Sequence, residues 1–179
     1  KAALRYGLDG IVLTEHDNLW QEVEVAALRA TFPELIILRG IEVTVSTGDH
    51  FLVYGVLEPE LFMPRMETRE LLAIVEERGG AAVLAHPYRY RPEVPAEIFQ
   101  APPTAIECMS INICRYMQEA IVALRQELDI PYFASSDAHR PSVVGLYGLE
   151  FSEEITDEVM LAQTLREGRF QPFAERKRI

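Results

Sequence analysis

Long apolar runs are missing from this 179-residue sequence. Nowhere does it reach the roughly 18 consecutive apolar residues of a membrane-spanning helix, and its opening, KAALRYGLDG, lacks the apolar stretch of a signal peptide. These absences argue against a membrane partner and predict a soluble, cytoplasmic protein. Cysteine is scarce. Cys108 and Cys114, six apart in IECMSINIC, fit neither a zinc knuckle nor a CxxC redox pair, so both are expected as buried free thiols in a reducing compartment. Cationic residues are outnumbered, 17 Lys and Arg against 28 Asp and Glu, for a net charge of -11. Without clustered Lys and Arg, an extended nucleic-acid or anionic-membrane surface is disfavoured. A small anionic substrate stays open, because a bound cation reverses the local sign. Lysine occurs only at Lys1 and Lys177. No internal repeat, low-complexity tract or linker interrupts the chain, which reads as one domain over 1–179, long enough to bury its own core.

What is present is an alternation of short apolar runs with longer amphipathic ones. DGIVLT (9–14), LIILRGIEVT (35–44), HFLVYGV (50–56), AAVLAHP (81–87), TAIECMS (104–110) and PYFASS (131–136) have the composition of buried strands. Between them, 18–32, 66–80, 115–128 and 155–168 repeat apolar residues at helical spacing. Asn18 is the expected N-cap of the first of these helices, and Thr156 and Asp157 provide for the last. Such an order predicts an α/β fold built on a mostly parallel sheet or barrel, with its chemistry where the strands deliver their C-terminal ends. The first residues, ALRYGLDG, read as the last turn of a helix and its glycine exit into a strand.

Against that frame the four histidines are unevenly placed. His16 follows the first strand in IVLTEHD, His86 ends AAVLAHP and His139 follows PYFASSD, while His50 opens the third strand after STGD. Each alone would be an ordinary polar loop residue, but three at the same end of successive strands suggest a common purpose. Glu42 interrupts the apolar run RGIEVT and Asp137 terminates its own strand. Burying a carboxylate is costly unless it is paired or binds a metal. Imidazoles and carboxylates that converge suit zinc, manganese or iron with positions open to water.

GLDGIVLTEHD, RGIEVT, GDHFLVYG, AHPYR and SSDAHRP resemble, in order and approximate spacing, the motifs of the PHP (polymerase and histidinol phosphatase) family of metal-dependent phosphoesterases. The resemblance runs from about Leu8 to Gly145, and the ending TLREGRFQPF looks like the tail of bacterial members. It implies a distorted (β/α)7 TIM-like barrel carrying two or three divalent ions (Zn, Mn or Fe). By the same resemblance Glu42 would bridge two metals, His50 and His86 would complete one site, Asp137 would hold its neighbour, and His16 with His139 would hold a third. The family's first motif, a His-x-His on the first strand, would lie upstream of Gly7. The expectation is therefore a PHP domain truncated at its N-terminus, whose best-preserved site is Glu42, His50 and His86.

The implied reaction is hydrolysis of a small phosphorylated substrate, a phosphomonoester or nucleotide, by a metal-activated water. Arg89 in AHPYR and Arg140 in DAHRP are candidates to bind the phosphate, since a guanidinium matches its oxygens in a planar fork. Asp17, beside His16, is a candidate to orient an imidazole or supply a proton. Asn112 lies where the family often carries an asparagine. Two other readings compete. A non-catalytic PHP-fold module would fit the absence of the first motif, whereas the retained histidines argue against it. An amidohydrolase-like C–N hydrolase normally places a carboxylated lysine or an early His-x-His at the first strand, and no strand-borne lysine is available here, which disfavours it.

Overall fold

The computed structural model of the chain describes residues 1–174. Lys177 lies outside them. After a short helix α1 (Ala2–Arg5), the chain forms β1 (Gly10–His16), α2 (Glu22–Thr31), β2 (Ile36–Thr44), β3 (His50–Tyr54), α3 (Thr68–Glu77), β4 (Ala81–Ala85), β5 (Ala105–Met109), α4 (Gln118–Leu128) and β6 (Tyr132–Ala134). It continues with β7 (Tyr147–Phe151), α5 (Glu158–Arg166) and β8 (Phe170–Ala174). Strands β1 to β6 make one sheet in sequence order, curled into a half-barrel, and β7 with β8 make a separate antiparallel pair. Among the described residues no helix is long and apolar enough to cross a membrane.

The expected mostly parallel barrel needs two corrections. The main sheet is open, with β1 and β6 at its edges, and β3 runs antiparallel to both β2 and β4. Only five residues separate β2 from β3, too few for the crossover a parallel pair requires. The reversal decides where His50 goes. Because β3 runs backwards, its first residue pairs with Thr44 and Ala85, the last residues of β2 and β4. His50 therefore joins the same rim as the C-terminal ends of the parallel strands. Helix α2 is also shorter than the periodicity suggested. It starts at Glu22 with Gln21 as N-cap, in a reciprocal capping box with Glu24, instead of at Asn18. At α5 the expected cap is present, Asp157 accepting the Met160 N–H.

Alternation along the strands separates two cores. On the outer face Ile41, Val43, Phe51, Val53, Leu84 and Ile106 pack with α3 and α4. On the inner face Leu38, Leu52, Tyr54, Val83 and Phe133 meet α5 and β8. Glu158 of α5 locks that covering in place by accepting from Arg29 Nη2 and from the Arg39 backbone N–H, each at 3.0 Å. The same parity that sends Val12 and Leu38 inward sends His16 and Glu42 inward as well.

Candidate metal centre

Four strands converge on Glu42. His16 is its register partner across the parallel β1–β2 pair, and His16 Nε2 stands 3.8 Å from Glu42 Oε2. Oε1 of the same carboxylate accepts from His50 Nδ1 at 2.7 Å and from His86 Nε2 at 3.1 Å. A carboxylate only accepts, so both rings turn an N–H toward it. The three imidazoles lie edge-to-face, with centroids 4.9 Å apart for His16 and His50 and 5.1 Å for His50 and His86. Glu42, His50 and His86 are buried, whereas the His16 side chain is 46% exposed. Burial alone would raise the Glu42 pKa, yet the hydrogen bonds from His50 and His86 and the electrostatic pull of the His16 and His86 rings outweigh it and bring the value to about 2. The carboxylate is thus an anion held among nitrogen donors.

Ligand atoms of His16, Glu42 and His50 all fall within 4.8 Å of one another. Two imidazoles and a carboxylate are a donor set that zinc, manganese or iron accepts. The arrangement differs from the expected grouping. His16 gathers with Glu42 and His50, and no three-ligand group among the described residues includes His139. The His139 ring is 69% exposed and stays beside Asp137, its Nδ1 being 3.4 Å from Oδ1 and 3.1 Å from the Asp137 carbonyl.

Asp137 follows β6 and is held by its surroundings. Its Oδ2 accepts from Asn112 Nδ2 and lies 3.7 Å from Arg89 Nη1. The Arg89 guanidinium in turn sits over the Tyr90 ring at 4.9 Å, and Tyr90 reaches both His50 and His86, at 5.3 and 5.9 Å. Arg140 is exposed at the start of the 3-10 turn Pro141–Val143. Asp17 is placed otherwise than its sequence position suggested: its Oδ1 accepts from the Thr44 N–H at 2.7 Å, and its own N–H donates to the Glu42 carbonyl. It ties the exit of β1 to β2. Asp17, His86 and Asp137 all have positive φ, of 50°, 26° and 47°. Non-glycine residues held in this region cluster where the surrounding structure fixes a functional geometry.

Sequence reasoning missed Tyr90 and Glu107. Nothing in AHPYRYR marks Tyr90, whose importance comes from a loop folding back over the histidines. Glu107 did carry a signal, the same acidic residue in an apolar strand that exposed Glu42. It is fully buried on β5, accepting the His86 N–H at 2.8 Å and the Ser135 hydroxyl. Burial pushes its pKa up to about 8, the hydrogen bonds from Ser135 and His86 opposing and the charges of Asp137 and Glu42 adding to the rise. A carboxyl that binds its proton more tightly when folded gives stability that is complete below the unfolded value of 4.5 and is lost as pH rises through about 8. Thermal melts should therefore fall more steeply between pH 5 and pH 9 for the wild type than for Glu107→Gln, which has no proton to lose. Parallel slopes for the two proteins would contradict that assignment.

A cavity of about 1240 Å³ opens along the inner side of β1 and β6, with His16, Glu42, His86, Asp137 and His139 in its lining. It gives the rim an approach wide enough for a small molecule.

A protein-family profile described as PHP-associated matches residues 119–170. No curated protein matches the chain in sequence. Among solved structures, PsfC from Pseudomonas syringae superposes with a TM-score of 0.69 at 19% identity, over 97% of this chain and 80% of its own. A two-domain protein from Bacteroides vulgatus containing a predicted PHP-like metal-dependent phosphoesterase also reaches 0.69, at 15% identity, over 96% of this chain and 57% of its own. A candidate metal-dependent phosphoesterase from Bifidobacterium adolescentis reaches 0.61, at 15% identity, over 89% of this chain and 86% of its own. Likeness at such identity is a likeness of fold.

Proposed function

We propose that this chain is a PHP-family protein and a metal-dependent phosphoesterase acting on a small phosphomonoester or nucleotide. The observation that carries the reading is the convergence of His16, His50 and His86 on the buried carboxylate of Glu42. Glu42, His50, His86 and His16 would hold one or two divalent ions, and Asp137 with His139 would serve a neighbouring position. Bound there, the ions supply Lewis-acid activation of water and stabilise charge on the phosphoryl oxygens.

The chain's own residues do the rest. Arg89 lies beside Asp137, where its planar fork can take two phosphate oxygens, and the Tyr90 ring beneath it limits its swing. Arg140, exposed beyond His139, is assigned to the outer side of the substrate. We assign Asp17 to holding His16 in place, because its carboxylate is engaged with Thr44. Asn112 fixes the rotamer of Asp137. Among the described residues β1 and β6 are the edge strands of the sheet and both border the cavity, an arrangement that one further strand between them would complete into a (β/α)7 barrel.

Hydrolysis of p-nitrophenyl phosphate tests the reading. The wild type should turn over with added Mn²⁺ and stop with EDTA, and His86→Ala should lose bound metal and activity together. Unchanged metal content in His86→Ala would remove His86 from the site.

A further inference from the structure

Among the described residues, Glu107 is the one fully buried carboxylate of the inner face that none of the proposed ligand groups requires. Its position is unusual for a core residue. Strand β5 lies between β4 and β6 and runs parallel to both, so a side chain near its C-terminal end can touch the ends of its two neighbours at once. Glu107 does so: Oε2 accepts the backbone N–H of His86, just past β4, and Oε1 accepts the hydroxyl of Ser135, just past β6. The first contact holds a residue whose φ is 26°, and the second stands two residues before Asp137, whose φ is 47°. Beside Glu107 the β5–β6 register slips, Glu107 pairing with Phe133 and Met109 with Ala134, so that Cys108 is an extra residue. Irregularities of this kind re-aim side chains at strand ends. An apolar residue at 107 would pack as well in this core, but it would leave the His86 amide and the Ser135 hydroxyl without their acceptor.

We propose that Glu107 is a positioning residue, a brace from β5 that sets the distance between His86 and Asp137 and so between the two metal positions. The inference rests on the phosphoesterase reading above. It gives Glu107 no contact with metal or substrate; its effect passes through the His86 backbone on one side and the Ser135–Asp137 segment on the other.

Calorimetric titration with Mn²⁺ alone, well below the melting temperature, tests it on the wild type, Glu107→Gln, Glu107→Ala and Ser135→Ala. Glu107→Ala should weaken Mn²⁺ binding by about 10- to 100-fold, the usual loss when a partner behind a metal ligand is removed. Glu107→Gln, whose carbonyl can accept the His86 N–H while its amide donates to Ser135 Oγ, should restore binding to within about threefold of the wild type, and Ser135→Ala should fall between. A brace needed only for folding would move the melting temperature and leave the affinity of the folded protein unchanged. Wild-type affinity in Glu107→Ala overturns the proposal. If Glu107→Ala does not fold, Ser135→Ala decides, with weakened binding in support and unchanged binding against. Absence of Mn²⁺ binding by the wild type would instead bring down the phosphoesterase reading, a failure seen before any variant is compared.

Discussion

Glu42→Gln is expected to abolish measurable metal binding by the chain. Glu42 is the only carboxylate in the cluster with His16 and His50, and one of its oxygens serves both His50 and His86. Replacing it removes the negative charge and half of the acceptor capacity while leaving the shape. With its carbonyl kept toward His50 and His86, the amide would turn its N–H₂ toward His16, whose Nε2 stands 3.8 Å from Oε2 in the wild type. Partners behind a ligand typically cost 10- to 100-fold in affinity, and loss of the shared ligand itself should cost more than about 100-fold. The charge has a second signature in the metal-free protein. With its pKa lowered from 4.5 to about 2, Glu42 contributes stability that is present above the unfolded value and is lost as pH falls toward 2. Acid melts between pH 5 and pH 2 should be shallower for Glu42→Gln than for the wild type. A variant that binds Mn²⁺ or Zn²⁺ like the wild type would show that the cluster is a hydrogen-bonded core polar group and no more.

Phe51→Ala is expected to cost about 3–5 kcal/mol, the range for removing a fully buried phenylalanine. Phe51 is completely buried in β3 and packs on the outer face with Ile41, Val43 and Leu84. Since β3 is paired on both sides, the surrounding strands cannot close on the space left behind. For a chain of this length each kcal/mol shifts the melting temperature by roughly 2–4 °C, so a fall of about 6–20 °C should appear in a thermal melt. The consequence reaches the site, because Phe51 is next to His50 and shares the strand whose reversal brings that ring to the rim. A change of less than about 3 °C would mean that the outer core does not depend on β3 in the way its burial implies.

Much of this site can be read from residue types alone. His16, His86 and His139 at strand ends, and Glu42 within an apolar strand, already point to a rim of ligands, because imidazoles have no packing reason to collect there. What could not be read was partnership. The sequence sets His16 beside His139 only by family resemblance, whereas the β1–β2 register sets it against Glu42. The direction of β3 was within reach, since STGD is a turn and five residues allow only a hairpin. The start of α2 was too: Gln21 and Glu24 spell a capping box, yet Asn18 is the stronger cap by type. Strands β7 and β8 went unseen because Gly148 and Pro172 interrupt short segments that pair with each other apart from the main sheet. Asp17 shows the opposite limit. Adjacent to a histidine in sequence, it is turned by its positive φ to the Thr44 amide.

The central claim is that this rim is a metal centre, and the most direct measurement is a calorimetric titration of the metal-free chain with Mn²⁺ and with Zn²⁺, beside Glu42→Gln. Saturable binding by the wild type at one or more sites, absent from the variant, is the predicted result. Binding that is missing from both proteins, or equal in both, would contradict it.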